Sequence, residues 1–151
     1  MYSSGFHIPR LIRLMSYEFG SQWVVLSIDT KKEGVGKWYV YLNGGRIKTS
    51  FTAIDWVKQA VDLGAGEILL SSMNNDGTKD GFAEDITSLF SKELAVPIIA
   101  SGGAGCAHDF FDVFSNANAD AALAASVFHY KEIEIKALKQ FLFKKNINVR
   151  L

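Results

Sequence analysis

Apolar residues fall in short unbroken runs, separated by stretches with helical spacing. WVVLSID, 23–29, is a continuous β-rich run ending in a carboxylate, and EILLSS, 67–72, is a second. Such runs suit strands buried on both faces, as in parallel sheets. Pro97 opens a third strand, where its missing N–H is tolerated, and DAALAAS, 120–126, is a fourth of small residues. KWYVYL, 37–42, alternates as a half-exposed strand does. Asn43-Gly44 then signals a tight hairpin, from which RIKTS returns.

Helical spacing fills the gaps. Leu11, Ile12, Leu14 and Met15 form a stripe over 9–17, and Gly20 stops it. Thr52 caps a helix over 53–63 with Ile54, Val57, Ala60 and Val61 inward. Further helices are predicted near 84–92, around Phe110, Phe111, Val113 and Phe114, and over 133–144. The last carries Ile135, Leu138, Phe141 and Leu142, with Lys139, Lys144 and Lys145 near its negative end.

The order is α-(βα)4 with one β-hairpin inserted after the first strand, which means a parallel sheet with covering helices. Spacing alone leaves a small open sheet and half of an eight-stranded barrel both open. At 151 residues the chain fits one domain. Sixteen basic and sixteen acidic residues give zero net charge, which removes the electrostatic footprint for nucleic acid. No run is long enough to span a membrane and no signal-peptide pattern opens the chain, so a cytoplasmic protein is expected. The single cysteine, Cys106, suits a reducing compartment.

In α/β folds the working residues gather at the C-terminal ends of strands. Here those ends are Asp29, then Ser71-Ser72 with the loop NNDGT, then Ser101-Gly102-Gly103, then Ala125-Ser126. Bare glycine-bearing ends beside helix starts have the composition of a phosphate site, because main-chain N–H groups can reach an anion there. On this reading SGGAG, 101–105, is bare because a phosphate must approach its amides, and SVFHYKEI supplies a short extra helix beside them. Ordinary tight turns remain the competing account of each glycine taken singly, and a cap or loop ion pair the competing account of Asp29. His7, His108 and His129 lack ligand spacing, so neither metal nor other cofactor is expected. Cys106 near a helix start, and Trp23, Trp38 and Trp56 as packing residues, are read as structural. Glu67, a charge opening a buried strand, fits either a loop or a polar ring at a barrel's lower end.

GSQWVVLSIDT, GAGEILLSSMNNDGT, PIIASGGAG, ADAALAASVFH and the closing KEIEIKALKQFLFKKNINVRL together resemble the cyclase subunits of imidazole glycerol phosphate synthase, of histidine biosynthesis. The resemblance implies a TIM (βα)8 barrel. Ammonia would arrive from a glutaminase partner and convert phosphoribulosyl-formimino-AICAR-phosphate, a substrate with two phosphates, to imidazole glycerol phosphate and AICAR. It implies that Asp29 is one of two catalytic aspartates. Asp76, Gly77, Gly102, Gly103, Ala125 and Ser126 would surround one substrate phosphate, and Gln22 and Glu67 would lie near the partner and the ammonia entrance.

Against that family pattern the chain starts where the fourth βα unit is finishing. It is therefore expected to be a C-terminal (βα)4 half-barrel, with 1–22 the remnant of the preceding unit and 23–151 four βα units. The first strand's aspartate and the second phosphate site would belong to an N-terminal half-barrel partner, and the chain alone would be inactive. Two open sheet edges are expected, at WVVLSID and DAALAAS. A non-catalytic phosphate-binding half-barrel and the related phosphoribosyl-formimino isomerase barrel are the alternatives.

Overall fold

The computed structural model describes residues 9–151. Helix α1, Pro9–Phe19, leads through a short 3-10 turn, Ser21–Trp23, into strand β1, Val25–Lys32. The hairpin is β2, Trp38–Leu42, and β3, Ile47–Thr52. Then α2, Ala53–Asp62, β4, Glu67–Ser72, α3, Glu84–Glu93, and β5, Ile98–Ser101, follow. The chain finishes with α4, Ala107–Ser115, β6, Ala121–Leu123, a one-turn α5, Ser126–His129, and α6, Ile135–Lys144. The sheet order is β3-β2-β1-β4-β5-β6, with β1, β4, β5 and β6 parallel and the hairpin antiparallel.

The sheet is two-faced. Leu26, Ile28 and Thr30 of β1, Ile68, Leu70 and Ser72 of β4, and Ile98 and Ala100 of β5 are buried on one face. Helix α2 covers it with Ala53, Trp56, Val57 and Ala60, one stripe at helical spacing, and α3 with Ile86 and Phe90. A second cluster joins Phe110 and Val113 of α4 to Val127, Leu138 and Leu142. The alternate residues of the same strands, among them Val25, Ser27, Asp29, Leu69, Ile99 and Leu123, point the other way, and no helix among the described residues covers them. Val25 is 50% and Leu123 44% exposed. A parallel sheet with helices on one side and apolar residues left open on the other is half-barrel-like.

Several expectations change in detail. Trp23 belongs to the 3-10 turn, not to β1, and is 74% exposed, so it is not a core residue; Trp38 and Trp56 are. The fourth strand shortens to three residues because the chain turns into α5 at Ser126, three residues after Leu123. The WVVLSID edge is not fully open: β2 pairs with β1 at residues 29–32, so only the first half of β1 lacks a neighbour on that side among the described residues. Thr52 caps α2 as expected, accepting the Asp55 N–H at 3.3 Å. His7 lies outside the described residues.

Phe90→Ala should lower the free energy of unfolding by about 3–5 kcal/mol, the usual cost of an emptied aromatic core position. Leu123→Ala on the open face should cost less than about 1 kcal/mol, because the side chain is already half in water. Urea unfolding of the two variants checks this, and equal losses would mean that the open face is packed.

Candidate functional site

Cross-strand register fixes what stands next to what. Asp29 pairs with Ser71, Ser71 with Ser101, and Ser101 with Leu123, giving one row across four parallel strands on the open face, near their C-terminal ends. Two strand spacings separate Asp29 from Ser101, roughly 10 Å. The far end of the row opens into a pocket of about 190 Å³. Asp76 and Gly77 from the loop after β4, Gly102 and Gly103 from the loop after β5, and Ala125 and Ser126 at the start of α5 all line it. The three strand ends picked out in the sequence therefore meet in one concavity. Among the described residues, no turn or cap carbonyl takes the N–H groups of Gly77, Gly102, Gly103, Ala125 or Ser126. The Asp76 N–H is committed to the Ser72 carbonyl at 2.9 Å.

The loop after β4 is braced from inside. Ser72 donates its hydroxyl to Asn75 Oδ1 at 2.8 Å, and Asn75 Nδ2 donates to the Gly81 carbonyl at 2.9 Å. The Gly81 N–H reaches the Gly103 carbonyl at 2.9 Å, tying this loop to the next. A Cβ on Gly103, at φ +105°, would stand 2.0 Å from the Gly81 carbonyl oxygen. Its bareness is thus required by loop packing, whatever else enters the pocket, so a bulky residue at 103 would displace the loop as well as any anion. Gly77 differs: it needs glycine for φ +79°, but a Cβ there would meet nothing within 4 Å.

Sequence reasoning passed over Lys79. It lines the pocket from a left-handed backbone position, φ 63°, and its ammonium is held by Glu132 at 2.7 Å. The signal available was the K of DGTKDG, a cation inside a glycine-flanked loop.

Asp29 is half-buried at the other end of the row. Burial raises its carboxyl above the usual carboxylate range, the Gly44 N–H pulls it back by hydrogen bonding, and the charge of Asp76 raises it. Gln22 and Glu67 are brought together at the opposite, N-terminal end of the sheet. Gly66, before Glu67, lies so close to the turn holding Gln22 that a Cβ there would stand 2.1 Å from the Ser21 carbonyl oxygen. Glu67 pairs with Val25 on the open face, about 17 Å along β4 from the pocket end. Beside them Met15, Phe19, Trp23 and Val24 line a shallow apolar pocket of about 270 Å³. Cys106 caps α4 with Asp109, which accepts the Cys106 N–H at 2.8 Å, in keeping with a structural residue. Among the described residues no cluster of His, Cys, Asp and Glu could hold a metal ion, and no helix is long and apolar enough to cross a membrane.

Comparison with known proteins adds the following. Residues 2–134 match the family described as "Histidine biosynthesis protein". The imidazole glycerol phosphate synthase subunit HisF of Flavobacterium johnsoniae is 52% identical over 149 residues, and that of Phocaeicola vulgatus is 51% identical over 149. Each comparison takes in 99% of this chain but 59% of the relative, so the chain spans less than two thirds of the length of the curated relatives it matches.

Asp29 has a folded-state pKa above its unfolded value. Its favourable contribution is therefore complete below the unfolded value of 3.8 and is lost as pH rises through the folded value. Asp29→Asn should be more resistant to urea than the parent at neutral pH, and the advantage should vanish by about pH 3. A parent that is the more stable of the two at neutral pH would contradict the burial of Asp29. Gly103→Ala should destabilise well beyond Gly77→Ala, which carries only the backbone penalty of about 1–2 kcal/mol; equal urea midpoints would contradict the close loop packing.

Proposed function

The chain belongs to the histidine biosynthesis protein family, and on that premise we propose that it is the C-terminal half of an imidazole glycerol phosphate synthase cyclase barrel. In this reading 1–22 finish the preceding βα unit and 23–151 are the four βα units of the half. The single observation that carries the reading is the meeting of three strand ends in one pocket, in the same row as a half-buried carboxylate. One of the substrate's two phosphates enters that pocket and takes hydrogen bonds from main-chain N–H groups, with Gly77, Gly102, Gly103, Ala125 and Ser126 around it. The reacting carbons then lie along the row toward Asp29. Roughly 10 Å between pocket and carboxylate suits a ligand held by its end and worked on at its middle.

Asp29 is the acid/base of this half. Burial keeps its proton affinity above that of an exposed aspartate, which brings it closer to the pH at which it must both take and give a proton. The other carboxylate and the second phosphate cradle come from an N-terminal (βα)4 half, which covers Val25, Leu69, Ile99 and Leu123 and closes the barrel. Ammonia enters at the lower end, past Gln22 and Glu67, from a glutaminase seated there. The exposed Trp23 and Phe19 at that end support a protein-covered surface. The whole reaction is cytoplasmic and needs no metal or other cofactor.

The test is turnover in a reassembled barrel. An N-terminal half taken from one of the HisF relatives should restore ammonia-dependent cyclase activity that this chain alone lacks. Asp29→Asn should then lower the rate by at least about 10²-fold while the two halves still associate. An active chain without a partner, or full turnover in the Asp29→Asn barrel, would overturn the reading.

A further inference from the structure

The pocket at the three strand ends carries little charge of its own. Among the described residues that line it, Asp76 is the one anion and Lys79 the one cation. The Lys79 ammonium is engaged elsewhere. It donates to both carboxylate oxygens of Glu132, at 2.7 Å each, and Glu132 does not line the pocket. The main chain on both sides of this pair is fixed. A Cβ on Gly105 would stand 2.3 Å from the Lys79 carbonyl oxygen, so the loop after β5 packs directly on residue 79. Thr78, just before it, donates its N–H and its hydroxyl to the Asn75 carbonyl, at 3.0 and 2.8 Å. The Glu132 N–H is bonded to the Val127 carbonyl at 2.9 Å. What remains free is an ammonium on a long flexible stem. The pair itself stands in water, its side chains 45% and 38% exposed, and exposed pairs of this kind are held weakly.

We propose that Lys79 is a mobile phosphate ligand of this pocket, kept on Glu132 while the pocket is empty and drawn onto the anion when it fills. The proposal rests on the reading of the pocket as a phosphate site. A phosphate dianion entering here meets the Asp76 carboxylate, and main-chain N–H groups set only partial charges against that repulsion. Lys79 holds the only full positive charge in the described lining. At equal distance a dianion attracts an ammonium more strongly than a single carboxylate does, so the ammonium exchanges one partner for the other. Glu132, once released, is solvated where it stands. The two residues therefore act on phosphate binding in opposite directions: Lys79 strengthens it, and Glu132 competes with it. A salt bridge that only pinned the loop after β4 to the turn after α5 would act in the same direction through both its members.

The experiment is a titration of inorganic phosphate into the full chain at constant ionic strength. NMR follows the Gly102 and Gly103 amides together with the Glu132 side-chain carboxyl carbon. Lys79→Met should raise the dissociation constant about tenfold, the ordinary effect of losing a hydrogen bond to a charged group. Glu132→Gln should lower it about two- to threefold, as loss of a weak competing surface pair implies. In the parent the Glu132 carbon should shift along the same saturation curve as the two amides, and Lys79→Met should abolish that shift. A Glu132→Gln variant that binds phosphate no tighter than the parent, or a Lys79→Met variant that binds it equally well, would overturn the proposal. So would a Glu132 carbon blind to saturation in the parent, a measurement that stands even where a variant fails to fold. Failure of the wider reading looks different: the Gly102 and Gly103 amides would not move with phosphate in the parent, and the proposal would fall with it.

Discussion

Parallel pairing in one register is the constraint on which the site depends. Side chains alternate along a strand, so a slip of a single residue in β1 would turn Asp29 beneath the helices and bring Ile28 or Thr30 to the open face. Burial forbids the slip. Leu26, Ile28 and Thr30 are held against α2 and α3, and β4 and β5 repeat the same pattern beside them. The Thr30 hydroxyl, fully buried, donates to the Ser71 carbonyl at 3.0 Å and so ties β1 to β4 just where the row of polar residues begins. The apolar face under the helices thereby sets the polar row on the opposite face.

Above that row the loops shape one another. The Gly103 backbone and the Gly81 backbone touch in both directions, by the 2.9 Å hydrogen bond and by the space that only glycine leaves. Asn75 crosses beneath them to the same Gly81 carbonyl. The pocket is consequently a product of the second and third βα units acting together, with α5 completing its wall. A glycine-rich strand end here serves packing first, and that packing leaves main-chain N–H groups without a turn or cap carbonyl among the described residues.

Much of this was legible in the chain because the signals were local. β4 was readable from EILLSS to the residue, and Thr52 as a cap, because alternation, capping and turn chemistry act within a few positions. The strand ends were readable as a group because an α/β order places them at one end of a sheet. What escaped was set by distant contacts. Trp23 looked like a core residue and is exposed, because the chain takes a 3-10 turn before β1. The pairing of β2 with only the last four residues of β1 depends on where the hairpin folds back. The reason Gly103 must be glycine lies in residue 81, across a loop. The K of DGTKDG marks a cation in a glycine-flanked loop, but its left-handed backbone and the Glu132 carboxylate that holds its ammonium are set by the fold and not by those six residues.

The central claim is that three strand ends of this one chain form a single phosphate cradle. Titrating inorganic phosphate into the chain and following its backbone amides by NMR tests it most directly. The account predicts that the amides of Gly77, Gly102, Gly103, Ala125 and Ser126 shift together and saturate with one dissociation constant, while those of Gln22 and Glu67 at the opposite end stay still. Shifts scattered over surface lysines, or an unmoved set of pocket amides, would contradict it.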